Sequence, residues 1–341
     1  MNHYFVWVVL YAVNKQFNNQ NMPIYTGSNK HLGGTETVTK RHQFFYGLVQ
    51  KNVLVTGANG QLGNEIAQLT KNRSLPFRFI FTDVNELDIT CYDSVSDFVH
   101  QHAVSIIIHC AAYTAVDKAE TNADKAYEVN CKGAKNIAKV AAEENCRLIH
   151  ISTDYVFDGN SKTPYTEEDK TNPQSVYGRT KRLGEEAVLA ANSEAIIIRT
   201  SWLYSEFGNN FVKTMIRLMH DRETINVVDD QHGSPTYAAD LAEMILHILE
   251  DSEQHEWKPG IYHFSNRGVT TWYGFAQKIK EFYPLDLVKI EPIHTEQYPL
   301  PAKRPAFSVL NTSKIEEQFH VVIPSWQEAL KRCIQQLNKQ E

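Results

Sequence analysis

The chain has 341 residues, 42% of them hydrophobic and 22% charged, with a formal net charge of −6. This is the make-up of a globular protein with a full core, long enough for one large α/β unit and an appended lobe; a negative balance without a long Lys/Arg block excludes a phosphate-tracking nucleic-acid surface. Five cysteines (Cys91, Cys110, Cys131, Cys146, Cys333), none in a C-x-x-C pair, suggest neither a disulfide framework nor a zinc ribbon and fit a reducing cytoplasm.

Residues 4–13 are mostly apolar but too few to cross a bilayer, and Met1-Asn2-His3 lacks the positive flank of a signal peptide. No export and no membrane partner is expected. The remainder of 1–50 is polar and aromatic without periodicity. It reads as an extension outside the main fold, or an upstream start that the working protein does not use.

From Lys51 the character changes. Val53-Leu54-Val55 is a short apolar run, the glycine-rich TGANGQLG follows, and Leu62, Ile66 and Leu69 recur at helical spacing. Strand, tight turn and helix in that order put Gly57, Gly60 and Gly63 where positive φ and close approach of a pyrophosphate are needed, with Asn59, Gln61 and Leu62 between them. A pyrophosphate there faces unpaired N–H groups and a favourable helix dipole. A strand is expected at 77–82, and Asp83 follows it, 20 residues after Gly63, where an acid accepts a hydrogen bond from the adenosine ribose. That acid leans toward NADH, although NADPH stays open; the plainer alternative is that Asp83 only starts a turn. Asp88 and Ile89 are expected beside the adenine.

The next strand, 105–110, leads into Ala111-Ala112-Tyr113, where the ribose and nicotinamide of the cofactor would pass. A helix is expected over 122–144, with Val129, Gly133, Ile137 and Val140 on one face. The strand at 147–152 ends in Ser152 and Thr153, on the edge where open parallel sheets bind ligands. Thr153 is placed to donate to a substrate carbonyl, or to cap the following turn. Tyr177 and Lys181 stand four residues apart, on one helix face. A ketone receiving hydride needs a proton donor, and a phenol serves once a neighbouring cation brings its pKa toward working pH. Lys181 is expected to supply that charge. A last strand is expected at 195–200, which completes alternating strands and helices and so a parallel sheet covered on both faces.

The fold class expected is therefore α/β, a Rossmann-type doubly wound parallel sheet with a smaller C-terminal substrate-binding lobe. The boundaries are 51–203 plus about 236–263 for the nucleotide domain, and 204–235 with 264–341 for the lobe. The helix near 238–249 returns to the first domain, and prolines 292, 299, 301 and 305 mark an extended segment able to close over a ligand.

Taken together, TGANGQLG, CAAYTAVDKAE, STDYVFDG, VYGRTK, RTSWLY, GNNF, DDQHGSPT and KRP resemble the extended short-chain dehydrogenase/reductase family, most closely its dTDP-4-dehydrorhamnose reductase branch, over about 51–331. The resemblance implies a catalytic triad of Thr153, Tyr177 and Lys181, with Asp154 and Trp202 touching the sugar of a dTDP-sugar substrate. It also implies a cytoplasmic enzyme with NADPH or NADH, and it leaves a homodimer open. Tyr155 follows Asp154 where dehydratases of this superfamily carry a second acid, which argues against dehydration. An epimerase, or a non-catalytic NADP-binding subunit like the β subunit of methionine adenosyltransferase, is the alternative. Glu65 matches a position used in some relatives for metal-bridged dimers, but it reads as a solvent-facing helix carboxylate, and no metal is expected.

Overall fold

Five apolar runs and a sixth, mixed segment become strands because branched and aromatic side chains fit a pleated surface covered on both faces. They are β1 (Lys51–Thr56), β2 (Phe77–Thr82), β3 (Val104–His109), β4 (Arg147–Thr153), β5 (Ile196–Thr200) and β6 (Gly260–Phe264). The computed structural model describes residues 50–71, 73–283 and 288–339, so the expectations for residues 1–49 lie outside the described residues. All six strands run parallel in the order β6-β5-β4-β3-β1-β2. Because β2 lies on one side of β1 and β3 on the other, the chain reverses direction across the sheet there. A crevice opens at the carboxyl ends of β1 and β3.

Helices cover both faces. On one, α1 (Gln61–Lys71) and α5 (Ala238–Asp251) bring Leu62, Ile66, Leu241, Ile245 and Leu249 onto Val53, Val55 and Ile106. On the other, α2 (Tyr92–Gln101), α3 (Ala134–Glu143) and α4 (Val176–Ala191) bring Val95, Ile137, Val140 and Val188 onto Leu54, Ile107 and Leu148. Alternate residues of β1 thus serve opposite cores, as a central strand requires. No helix among the described residues is long and apolar enough to cross a membrane.

A third core lies apart from the sheet. It joins helices Phe211–Asp221, Trp272–Phe282 and Trp326–Leu337 to a parallel pair of strands, Thr224–Val228 and Lys289–Ile293, around Met215, Phe275, Ile279 and Trp326. The C-terminal stretch is shared between cores, because Ile315, Phe319 and Ile323 pack with the sheet's cluster. Two further departures from the sequence reading stand out. β6 had no apolar run to announce it, and the helix expected over 122–144 is α-helical only at Ala123–Tyr127 and in α3, with a wider π turn at Glu128–Gly133 between them.

Candidate active site

The turn after β1 is built for close packing. Gly57 has φ +69°, and a Cβ on it would stand 2.7 Å from the Ala111 backbone; a Cβ on Gly63 would stand 2.5 Å from the Gly57 carbonyl and 2.6 Å from Ala58 Cα. A Cβ on Gly60 would meet only the Gly57 carbonyl, at 3.2 Å, so this glycine leaves free space beside the N-terminus of α1. With no acid in the first turn of α1, that space suits the pyrophosphate of a dinucleotide. Asp83 follows β2 at the rim of the crevice, where its carboxylate accepts from Asn59 N at 2.9 Å and from Val84 N at 2.7 Å. Asp88 accepts from the backbone and hydroxyl of Thr90, which holds its carboxyl below the usual range. These residues line one cavity of about 770 Å³ with Gln61, Leu62, Ile89, Ala111 and Ala112, a size typical of small-molecule clefts.

Asn59 and Tyr113 stand outside that lining. Asn59 contributes its backbone to Asp83. Tyr113 has both peptide groups bonded to Asn130, N to Oδ1 at 2.8 Å and O from Nδ2 at 3.1 Å, and its side chain packs against the cluster of Ala119, Ala126, Val176 and Tyr177. Asn130 also donates to Thr180 Oγ1 at 3.0 Å. It therefore ties the end of β3 to α4, and the π turn that carries it is the irregularity such functional joints often show.

The same cavity holds Thr153, Tyr177 and Lys181. Ser175 caps α4 by accepting from Gly178 N at 3.1 Å, and a Cβ on Gly178 would lie 2.3 Å from the Tyr155 carbonyl. The first turn of α4 therefore presses directly on the turn Asp154–Val156 after β4. Tyr177 rests edge-on against Tyr155, ring centroids 5.5 Å apart. Thr153 stands close enough to lower the pKa of the Tyr177 phenol; its hydroxyl donates to Asp154 Oδ1 at 2.9 Å and accepts from Tyr155 N at 3.2 Å. The turn-cap role read for Thr153 is thus present, and the same residue lines the cavity.

Burial sets the electrostatics of this pair. Burial pushes the Tyr177 phenol up to about 12, opposed only by the Thr153 hydroxyl, and Lys181 turns its ammonium to the Ile151 carbonyl at 2.6 Å. Burial dominates the phenol and outweighs the hydroxyl beside it. Burial also draws Lys181 down to about 8, against the pull of Glu185. Asp154, 2% exposed, is raised to about 6 by burial.

Trp202 and Leu203 line the cavity on the side of the third core. Trp202 has φ +48°, a conformation that costs a bulky residue of the order of 1–3 kcal/mol and persists only where its surroundings enforce it. Arg304 grips Asp117 with both terminal nitrogens, one of them at 2.6 Å, and so fastens the proline-rich segment to the chain after β3. The sequence reading missed Asn130, Val116 and Tyr155 at or behind this wall. Each belongs to a motif already quoted or to a helix face that read as core.

Glu65 is also corrected. It is 2% exposed, accepts from Ser205 Oγ at 2.7 Å and is in hydrogen-bond contact with Glu206. Burial first and the neighbouring Glu206 carboxyl next raise it to about 8, against the Ser205 hydroxyl that lowers it. Tyr237 donates to Glu206 Oε2 at 2.9 Å. Among the described residues no group of three or more His, Cys, Asp or Glu could hold a metal.

A doubly wound parallel sheet, a glycine cradle at its switch point and a Tyr/Lys pair on the cavity wall define a dinucleotide-binding protein of the short-chain dehydrogenase/reductase type. The model of the RmlD substrate binding domain matches residues 51–339, and the chain belongs to that family. It is 42% identical to a dTDP-4-dehydrorhamnose reductase of Aggregatibacter actinomycetemcomitans, over 82% of this chain and 97% of that protein. It is 40% identical to the dTDP-4-dehydrorhamnose reductase of Escherichia coli, over 84% and 98%. A crystal structure of dTDP-4-dehydrorhamnose reductase from Bacillus anthracis in complex with NADP superposes with a TM-score of 0.79 at 41% identity, covering 84% of this chain and all of that one.

Proposed function

We propose that the protein reduces the C4 ketone of dTDP-4-dehydro-L-rhamnose to the alcohol of dTDP-L-rhamnose, with NADPH or NADH as reductant. The observation that carries this reading is that Thr153, Tyr177 and Lys181 share one cavity with the Gly57–Gly60–Gly63 cradle, in a chain whose relatives are reductases of this substrate. Gly57, Gly60, Gly63 and the start of α1 would hold the pyrophosphate, Asp83 the adenosine ribose, and Ala111, Ala112 and Lys181 the nicotinamide half. When bound, the nicotinamide supplies hydride. Tyr177 keeps its proton throughout the physiological range, so it is a donor ready for the oxygen that becomes an alkoxide. Lys181, charged below about pH 8, stabilises the phenolate left behind. Thr153, on the same cavity wall, would orient the carbonyl, while Asp154 and Trp202 would contact the sugar.

The test is purified protein with dTDP-4-dehydro-L-rhamnose and each reduced cofactor, following loss of nicotinamide absorbance and the product formed. Absorbance loss with dTDP-L-rhamnose as product is expected. Turnover only with another dTDP-4-keto sugar moves the substrate assignment. Cofactor binding without turnover of either favours a regulatory subunit.

A further inference from the structure

Trp202 is held by more than its own backbone. Its indole stacks on that of Trp272, with ring centroids 3.6 Å apart and planes 7° from parallel. A Cβ on Gly233 would lie 2.4, 2.6 and 2.7 Å from Trp202 Cε2, Cζ2 and Nε1, so this part of the ring rests on bare glycine backbone. Two short strands deliver both supports, His232–Gly233 and Thr270–Thr271, which pair antiparallel with Gly233 opposite Thr270. Trp272 then opens its helix directly, with Thr271 as cap accepting from Gly274 N at 3.0 Å. Ser201 Oγ donates to the Ser234 carbonyl at 2.8 Å, and Thr236 N to the Trp202 carbonyl at 3.2 Å. Phe211 closes the far side of Trp272, with centroids 4.6 Å apart.

We propose that Trp272 is a positioning residue for the sugar of the substrate, acting through Trp202: stacked on one indole and set against bare Gly233, Trp202 is locked at the cavity wall in the left-handed conformation it would otherwise leave. Trp272 itself is absent from the cavity lining and packs with the third core. The third core thereby fixes a wall of a cavity whose floor belongs to the sheet. The proposal rests on the reading that Trp202 meets the sugar.

A wall fixed before substrate arrives lowers the cost of binding and is used equally in ground and transition states, so its loss appears in KM more than in kcat. An aromatic pair of this kind is worth about a three- to tenfold effect. The experiment compares wild type, Trp202→Ala, Trp272→Ala, Trp272→Phe and Gly233→Ala in the full chain. It measures kcat and KM for dTDP-4-dehydro-L-rhamnose, cofactor Kd by fluorescence, Tm, and near-ultraviolet circular dichroism, where two indoles in van der Waals contact give a coupled signal without any substrate.

Trp272→Ala and Gly233→Ala are expected to lose the coupled signal and raise KM about three- to tenfold, with kcat and cofactor Kd within twofold. Trp272→Phe should restore most of the KM. A raised KM in Trp202→Ala with a normal KM in both Trp272→Ala and Gly233→Ala would overturn the positioning role and leave the sugar contact standing. A normal KM in Trp202→Ala would overturn both. Absence of the coupled signal from wild type would overturn the stack itself, whatever the substrate proves to be.

Discussion

At the scale of single residues, the proposed reaction asks a buried phenol to give a proton and a buried ammonium to hold the charge that remains. Removing the phenol oxygen in Tyr177→Phe leaves the glycine cradle and Asp83 intact, so cofactor Kd should hardly move while kcat falls by ~10² or more. Tyr177 stays protonated far above neutrality, and Lys181 loses its charge near pH 8. The alkaline limb of kcat/KM for the wild type should therefore fall near pH 8 and report Lys181. A limb at pH 10 or above would instead assign the limiting ionisation to the phenol. Asp83 lies at the opposite end of the cavity, a carboxylate occupied by two backbone donors. It disfavours a 2′-phosphate by charge, so Asp83→Ala should raise the NADPH to NADH ratio of kcat/KM, and an unchanged ratio would remove it from the ribose.

At the scale of elements, the β1–turn–α1 unit distinguishes glycines that fit the fold from one that fits the ligand. Gly63→Ala sets a methyl 2.5 Å from a backbone oxygen and should cost roughly 1–3 kcal/mol of stability, as overpacking does, together with cofactor affinity. Gly60→Ala meets a single oxygen at 3.2 Å, so Tm should hold while cofactor affinity falls. Equal loss of Tm in both would show that neither position is reserved for a ligand. This unit was readable from the sequence because its information is local: a strand at 77–82 was expected and found, and 105–110 became Val104–His109. The π turn at Glu128–Gly133 was not, since it depends on Asn130 reaching Tyr113 and Thr180, 17 and 50 residues away. The same holds for the Trp202–Trp272 stack, made by two-residue strands with no periodicity to detect, and for Arg304 on Asp117, 187 residues apart. Residue types at the site follow from motif spacing; the contacts that brace them are long-range and follow only from the packed chain.

At the scale of the whole molecule, stability as a function of pH is set by a few buried groups that pull in opposite directions. His109, His150 and His263 are each held neutral by burial, His109 and His263 at about 3 against an ordinary 6.5, and His150 well below that value. Their folded pKa is depressed, so the unfolded chain takes up protons that the folded one refuses, and the stability they allow above pH 6.5 is lost as pH falls. Glu65 works the other way. Its folded pKa of about 8 lies above an ordinary 4.5, so the folded state keeps a proton that the unfolded state releases, and stability is lost as pH rises from 4.5 through 8. Asp154, at about 6 against 3.8, does the same over its own lower range. Near pH 6 three histidines outweigh two acids, and above pH 7 Glu65 prevails until Lys181, whose folded pKa of about 8 lies below an ordinary 10.5, opposes it near pH 8. The slope must change sign between them, at about 1.4 kcal/mol per pH unit for each net proton, which puts the maximum of Tm near pH 6.5–7. Glu65→Gln keeps an acceptor for Ser205 and gives Glu206 a donor, so it should match wild type near pH 5, exceed it by roughly 3–4 kcal/mol at pH 8, and move the maximum upward. His150→Leu removes a ring with neither nitrogen hydrogen-bonded among the described residues and should flatten the acid side alone. Tm measured from pH 5 to 8.5 for the three proteins decides it: a Glu65→Gln curve parallel to wild type at every pH would mean that Glu65 is already ionised in the folded protein.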